Sequence, residues 1–380
     1  MLLLQPIMAG IYIHIPFCKK ACVYCDFHFS TSLDAKNNFL TALKSEIQLR
    51  QNYLSEKVHT VYFGGGTPSV LTAPEINGVF DELQKVFNLT SVTEITLEAN
   101  PDDLSKPYLE ALKQTPVNRL SVGVQSFRNE RLSWMNRTHT AAQSISAIEH
   151  AAALGFNLSM DLIFSLPEMT PTEWNEQLQM VTTLPINHLS AYGLTVEKGT
   201  LLFNRVKSNQ ENELPDDLAQ DLFLQGDAFL TQAGFEHYEI SNYAKPGFRA
   251  QHNSNYWYYK PYLGLGPSAH SFNLHQRQWN VSNNALYIKS LSDHKLPLTS
   301  EDLTATEKFN EYLMVGLRTK NGISMSFIEE FFGKTYAIHF IKEAFKPLQK
   351  KILQKQDDVI SIPVTHWFMA DKIISDLFYI

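Results

Sequence analysis

The sequence predicts an α/β protein whose main part is a partial (β/α)6 barrel, followed by a region of loops and short strands and a small, mostly helical C-terminal domain. Strand and helix patterns alternate six times over the first 240 residues, which indicates a parallel sheet with helices outside it. After residue 240 this regular alternation of strand and helix patterns ends. Six units fall short of the eight in a closed barrel. We therefore expect an open barrel with its site at the carboxyl ends of the strands.

The six predicted strands are β-rich stretches separated by helical patterns. The strands are Ile11–Ile15, Val58–Phe63, Glu94–Glu98, Leu120–Gln125, Leu158–Ile163 and His188–Thr195. The helices are Asp34–Tyr53, Ala73–Phe87, Lys106–Lys113, Ala141–Leu154, Pro171–Thr183 and Asp217–Ala233. Start and stop signals support several bounds, among them Thr72 before the second helix and Gly155 after the fourth.

The remaining chain divides into two further parts. Residues 241–290 are dense in Asn, Tyr, Trp, Gly and Pro, which is typical of functional loops with short strands. From about Thr304 the pattern is helical again, and a short β-like run at Val359–Ile362 precedes the final amphipathic segment. We predict a barrel over 1–240, a connecting region over 241–300 and a C-terminal domain over 301–380.

The composition narrows the class of protein. The net charge of −7 is not basic enough to predict a nucleic-acid partner by charge. No apolar run of 18 residues occurs, so no membrane anchor is predicted. The run Met1–Met8 lacks a basic region and is too short for a signal peptide. The start at Met1 or at Met8 stays open, and a cytoplasmic location is expected.

The three cysteines of the chain fall within eight positions, at Cys18, Cys22 and Cys25. An odd number of clustered thiols indicates a metal centre in a reducing compartment rather than a disulfide framework. Zinc sites and [4Fe–4S] clusters each usually take four protein ligands. Three ligands therefore leave one metal position open for chemistry or for another ligand. A zinc site with a distant histidine as fourth ligand is the alternative.

Polar and glycine residues cluster at the ends of the later predicted strands. The run Phe63-Gly64-Gly65-Gly66-Thr67-Pro68 ends the second strand and lets the backbone approach a ligand closely. Charged or amide side chains are placed in or just after the third, fourth and fifth strands. They are Glu98, Gln125, Arg137 and Asp161. A structural role fits any one of them, but together they would share one opening.

The spacing C-x3-C-x2-C and these motifs resemble the radical S-adenosylmethionine (SAM) proteins, in the branch of oxygen-independent coproporphyrinogen III dehydrogenases and haem chaperones. The resemblance covers nearly the whole chain. It implies that Cys18, Cys22 and Cys25 hold a [4Fe–4S] cluster whose fourth iron is chelated by SAM. It also implies a set of SAM-site residues. They are Tyr12, Tyr24, Gly65, Gly66, Thr67, Glu98, Gln125, Arg137 and Asp161.

Two departures separate this chain from the dehydrogenases. Those enzymes carry a further cysteine where this chain has Phe27, and a long N-terminal extension where only eleven residues precede Tyr12. The run Cys25-Asp26-Phe27-His28-Phe29 instead resembles the haem chaperones. So do the segments His252–Trp257 and Tyr262–His270.

These segments predict where haem binds. An imidazole can ligate haem iron, and aromatic faces suit a flat macrocycle. The candidate haem residues are His252, Tyr256 and Trp257. The alternative is that this loop only packs parts of the protein together.

The resemblance implies a haem chaperone of radical-SAM type that transfers haem to acceptor haemoproteins, for example respiratory-chain components, including acceptors at a membrane. The alternative is an oxygen-independent coproporphyrinogen III dehydrogenase, which oxidatively decarboxylates propionates. No catalytic residue is assigned from the sequence, and whether the chain is an enzyme stays open.

Overall fold

The computed structural model describes residues 8–380. The expectations about the start and a signal peptide concern residues 1–7 and lie outside the described residues. The strands are β1 Met8–Ile15, β2 Lys57–Gly65, β3 Glu94–Ala99, β4 Arg119–Gln125, β5 Asn157–Phe164, β6 His188–Gly193, β7 Glu236–Glu239, β8 Asn242–Ala244, β9 Tyr262–Leu265, β10 His270–Phe272, β11 Gln276–Asn280, β12 Leu298–Asp302, β13 Ile323–Ser324, β14 Gln354–Gln356 and β15 Val359–Ser361.

Helices alternate with these strands and dominate the C-terminal part. They are α1 Lys36–Leu49, α2 Ala73–Val86, α3 Lys106–Leu112, α4 Asn129–Trp134, α5 Ala141–Ala153, α6 Pro171–Thr183, α7 Leu201–Lys207, α8 Asp216–Gln232, α9 Gln251–Trp257, α10 Asn284–Ser292, α11 Ala305–Gly316, α12 Met325–Phe327, α13 Lys334–Gln349 and α14 Ala370–Ser375. Among residues 8–380 no helix is both long and apolar enough to cross a bilayer.

The predicted α/β architecture is confirmed. Strands β1 to β6 lie side by side in sequence order, and each adjacent pair is parallel. In the described chain β1 and β6 do not close on each other, because β9 pairs with β1 and β8 pairs with β6. The result is an open, six-unit barrel.

Local sequence signals explain the helix bounds. Thr72 caps α2 in a capping box: its hydroxyl accepts from the Glu75 N–H, and the Glu75 carboxylate accepts from the Thr72 N–H. Thr140 and Gln143 repeat this arrangement at α5. The chain leaves α5 through Gly155, whose φ of 76° is costly for any residue with a Cβ.

The strands of the barrel are largely buried, and several of them alternate apolar with polar residues, as β3 and β4 do. In β1, Ile11, Ile13 and Ile15 are fully buried in the core. Tyr12 alternates with them and faces the other side of the sheet, opposite Tyr62 on β2. This period of two brings polar side chains from successive strands into one interior.

Strands after residue 240, together with β7 just before it, extend the same sheet at both edges. Strands β8 and β7 continue it beyond β6, and β9 to β12 continue it beyond β1. The expected short strands are therefore present, but α9 and α10 form where loops were expected. The C-terminal part is mostly helical, as predicted, and adds a small sheet of β13, β15 and β14. The division into 1–240, 241–300 and 301–380 stays a prediction.

A buried carboxylate joins this added region to the barrel. Glu46 on α1 accepts hydrogen bonds from the Tyr287 hydroxyl at 2.5 Å, the Asn280 amide at 2.6 Å and the Gly266 N–H at 2.8 Å. It is fully buried, and burial raises its pKa despite these three donors. The three donors lie more than 200 residues further along the chain. The Glu46 side chain therefore holds the segments that carry them against α1.

Replacing Glu46 by leucine is expected to lower the free energy of unfolding by about 3 kcal/mol or more, because three buried donors would lose their acceptor. Chemical denaturation of the variant measures this loss. Exposed Glu110→Leu on α3 is the matched control and should change stability by at most about 0.5 kcal/mol. Equal losses in the two variants would contradict the structural role of Glu46.

Candidate functional site

The cysteine-bearing loop begins directly after β1 and is closed at its base by backbone pairing. The Cys18 N–H donates to the Ser30 carbonyl at 3.0 Å, and the Ser30 N–H donates to the Pro16 carbonyl at 2.9 Å. All three cysteines lie inside this closed loop as free thiols. They therefore sit at the carboxyl end of β1, as the sequence predicts.

The glycine run after β2 docks on the start of this loop. The Gly66 N–H donates to the Ile15 carbonyl at 2.9 Å, and the Thr67 N–H donates to the Phe17 carbonyl at 2.7 Å. A Cβ on Gly66 would lie 2.6 Å from the Phe17 carbonyl oxygen. Gly65 has a φ of 107°, which a side chain disfavours. Positions 65 and 66 therefore need glycine because the two chain segments approach each other so closely.

Two side chains donate hydrogen bonds to the cysteine sulfurs. The Thr67 hydroxyl donates to Cys18 Sγ at 3.4 Å, and Arg137 Nη1 donates to Cys22 Sγ at 3.3 Å. Burial raises the pKa of Cys18, and it raises the pKa of Cys25 to about 11. Thiols with raised pKa values hold their protons until a metal ion displaces them.

Arg137 is a half-buried cation of this opening. Its Nη2 donates to the Asn100 side-chain oxygen at 2.6 Å and to the Gly123 carbonyl at 2.8 Å. Its Nε is buried and has no hydrogen-bond partner among the described residues. A guanidinium with a free donor is suited to a carboxylate.

A cavity of about 460 Å³ opens between the cysteine loop and the barrel strands, within the range of small-molecule sites. All three cysteines and every residue assigned to the SAM site except Tyr12 line it. They are Cys18, Cys22, Cys25, Tyr24, Gly65, Gly66, Thr67, Glu98, Gln125, Arg137 and Asp161. The sequence-based expectation that these side chains share one opening is met for this set.

Two half-buried carboxyl groups line this cavity. Glu98 accepts a hydrogen bond from the Tyr62 hydroxyl at 2.7 Å and one from the Gly65 N–H at 3.2 Å. Burial nevertheless raises the pKa of Glu98 to about 7. Asp161 accepts from the Ser121 hydroxyl at 3.3 Å, and burial raises its pKa as well. Both groups are placed to accept hydrogen bonds from a ligand that brings hydroxyl or ammonium donors.

A second cavity, of about 580 Å³, adjoins the first on the inner side of the barrel. Tyr12 lines this cavity rather than the first, together with the three candidate haem residues His252, Tyr256 and Trp257. Four residues line both cavities. They are Glu98, Tyr192, Gly193 and Thr195.

His252 is already engaged by two neighbours. Its Nδ1 lies 2.8 Å from the Thr60 hydroxyl, and its Nε2 lies 2.8 Å from the Tyr256 hydroxyl. Burial lowers its pKa to about 3, so the imidazole is neutral. Ligation of haem iron by His252 would require one of these hydrogen bonds to break.

Several lining residues were not singled out from the sequence. Asn100 stands two positions after Glu98 at the end of β3, a place that strand-end reasoning could have covered. Tyr62 and Tyr192 lie on β2 and β6, where a tyrosine in a strand carries no distinctive signal. Arg318 and Trp367 reach the second cavity from the C-terminal part, and only the tertiary structure brings them there.

The three thiols are compatible with the ligand set of a cluster. Among residues 8–380 no three Cys, His, Asp or Glu side chains converge as a site for one metal ion. Three thiolates that each bind a different iron of a cluster need not converge in this way. The glycine-walled cavity and the free Nε of Arg137 add room and a donor beside the thiols.

Comparison with known proteins places the chain among characterised relatives. The model of the radical SAM superfamily matches residues 12–181. The haem chaperone HemW of Lactococcus lactis is 32% identical over 343 residues, which cover 90% of this chain and 90% of the relative. The HemW protein of Bacillus subtilis is 32% identical, with 86% of this chain and 88% of that protein covered.

A solved structure shares the fold over nearly the whole chain. The radical SAM enzyme coproporphyrinogen III oxidase (HemN) from Escherichia coli superposes with a TM-score of 0.83. The match covers 98% of this chain and 90% of that one at 23% sequence identity. At this identity the similarity shows the fold and nothing finer.

The raised pKa of Glu98 predicts a pH dependence of stability. The folded state holds the Glu98 proton up to about pH 7, whereas an unperturbed glutamate has a pKa of 4.5. Stability should therefore fall as pH rises through this window, by about 3 kcal/mol relative to Glu98→Gln. Chemical unfolding of metal-free wild type and variant at both ends of the window measures the difference. Parallel stability curves would contradict the raised pKa.

Proposed function

Because the chain belongs to the HemW family of radical SAM proteins, we propose that it is a haem chaperone that binds haem beside a SAM-coordinated [4Fe–4S] cluster and transfers haem to acceptor haemoproteins. The observation that carries the proposal is the pair of adjoining cavities. One is lined by the three cysteines, and the other by aromatic side chains and the His252 segment.

The cluster would be held by Cys18, Cys22 and Cys25. What supports this is their position on one closed loop and the two hydrogen bonds that Thr67 and Arg137 donate to the sulfurs. Such hydrogen bonds stabilise thiolates and orient them for ligation. When bound, the cluster and SAM supply one-electron redox chemistry.

SAM would occupy the rest of the first cavity. Arg137 suits its carboxylate, because a half-buried guanidinium with an unpartnered Nε can donate to it. Glu98 and Asp161 suit the ribose hydroxyls or the ammonium group as acceptors. Tyr12 would act from the neighbouring cavity. The remaining assigned residues line the walls of the first cavity. They are Tyr24, Gly65, Gly66, Thr67 and Gln125.

Haem would occupy the second cavity. Its aromatic lining provides flat apolar faces for a macrocycle. It includes Tyr62, Phe164, Tyr256, Trp257 and Trp367. Because Glu98 and Tyr192 line both cavities, haem and the cluster site would be neighbours.

The acceptors are haemoproteins, for example respiratory-chain components at a membrane, and the protein would act in the cytoplasm. The three free thiols support a reducing compartment. Position 27 also favours haem transfer over porphyrinogen decarboxylation, because Phe27 stands beside the cysteines with 66% of its surface exposed and offers no thiol.

Haem transfer from the anaerobically purified protein to an apo-haemoprotein tests the function. We expect stable haem binding and transfer, and no protoporphyrinogen from coproporphyrinogen III, SAM and reductant. Formation of protoporphyrinogen would replace the proposal by the dehydrogenase alternative.

Cys22→Ala should lose iron and acid-labile sulfide, whereas Lys20→Ala in the same loop should keep both. Zinc without acid-labile sulfide in the purified wild-type protein would contradict the assignment of a [4Fe–4S] cluster.

The hydrogen bonds of His252 allow a sharper test of haem ligation. His252→Ala should shift the absorption spectrum of bound haem. Tyr256→Phe should tighten haem binding by about fivefold, because the bond to Nε2, with a net value of about 1 kcal/mol, no longer has to break. Haem titration of both variants measures this. An unchanged spectrum in His252→Ala would move the axial ligand to another residue.

A further inference from the structure

Helix α13 presents an apolar stripe that nothing in the described chain covers. Ile338, Ile341 and Phe345 follow the i, i+3, i+7 spacing of one helix face, and their exposed fractions are 67%, 57% and 58%. The buried face of the same helix, with Phe340 and Ala344, already packs on the C-terminal core. The stripe is therefore a second apolar surface that the fold does not use.

Lysines surround this stripe. Lys342 and Lys346 follow Ile338 at intervals of four residues, so they lie beside the stripe on its solvent side. Residues 334–351 contain five lysines and one glutamate, a formal charge of +4, in a chain whose net charge is −7. The single glutamate, Glu343, pairs with Lys342 at 3.4 Å.

We propose that the stripe of Ile338, Ile341 and Phe345, with the lysines of α13, docks on an anionic lipid surface. An exposed amphipathic helix with apolar side chains on one side and lysines beside them lies in a membrane interface, where the apolar groups enter the lipid and the ammonium groups meet the headgroups. The helix adds no transmembrane span. The inference stands independently of the proposed function.

Charge and shape favour lipid over the other possible occupants. In a symmetric contact between two copies, the lysines of one stripe would approach those of the other, which is unfavourable. A protein partner would need a groove that is complementary to a convex helix. A bilayer accommodates a convex apolar ridge without a preformed site, and its anionic headgroups match the local positive charge.

Co-sedimentation of the anaerobically purified full chain with lipid vesicles tests the proposal. Binding is expected to mixed phosphatidylcholine and phosphatidylglycerol vesicles, to weaken in high salt, and to be absent with pure phosphatidylcholine. Combined Ile338→Ser, Ile341→Ser and Phe345→Ser should abolish binding. Combined Lys342→Glu and Lys346→Glu, which keeps the apolar residues, should weaken binding at least about tenfold.

A matched control uses another exposed helix. Combined Leu286→Ser, Lys289→Glu and Lys295→Glu on and just after α10 makes both kinds of change away from the stripe, and it should bind like the wild type. Circular dichroism checks that every variant is folded.

Three results would overturn the proposal. The first is that the wild-type protein does not bind anionic vesicles. The second is that the stripe variants bind these vesicles as well as the control does. The third is that the wild-type protein binds neutral vesicles equally strongly. A wild-type dimer in light scattering that the stripe variants dissociate, without any vesicle binding, would assign the stripe to a second copy instead.

Discussion

Two backbone hydrogen bonds between the ends of β1 and β2 are the constraint on which the candidate site depends. Through them Gly66 and Thr67 bind the carbonyls of Ile15 and Phe17. They fix the start of the cysteine loop to the edge of the sheet. The same contact brings the Thr67 hydroxyl to Cys18 Sγ. Because a Cβ at position 66 would collide with the Phe17 carbonyl, this junction needs glycine before any ligand is considered.

The site also depends on half-buried charged groups. Arg137, Glu98 and Asp161 lie within one opening, and burial raises the pKa of both carboxyl groups. Burying such groups is costly unless they are paired or hydrogen-bonded. The apolar core of the strands holds them there, and the Nε of Arg137 lacks a partner among the described residues. Such a set of acceptors and a donor is consistent with the polar ligand proposed for this cavity.

The fold and the function rest on different observations. The structure shared with the coproporphyrinogen III oxidase fixes the architecture, but one scaffold serves several activities. The relationship to HemW proteins over 90% of the chain shows the family, and the functional proposal starts from it. The second cavity is the place proposed for haem. The His252 segment, the barrel strands and side chains from the C-terminal part all line it.

The sequence by itself determined the six-unit barrel and most of the first cavity. Strand and helix periodicity is local, and residues towards the carboxyl ends of parallel strands must meet at one edge, so Glu98, Gln125 and Asp161 could be placed beside the cysteines. Only the tertiary structure decided that α9 is a helix, that Tyr12 faces the second cavity and that both nitrogens of His252 are engaged. These features depend on contacts between residues far apart in the chain, such as His252 with Thr60 and Glu46 with Tyr287. No local pattern encodes such contacts, because their free energy arises only when the folded chain brings the partners together.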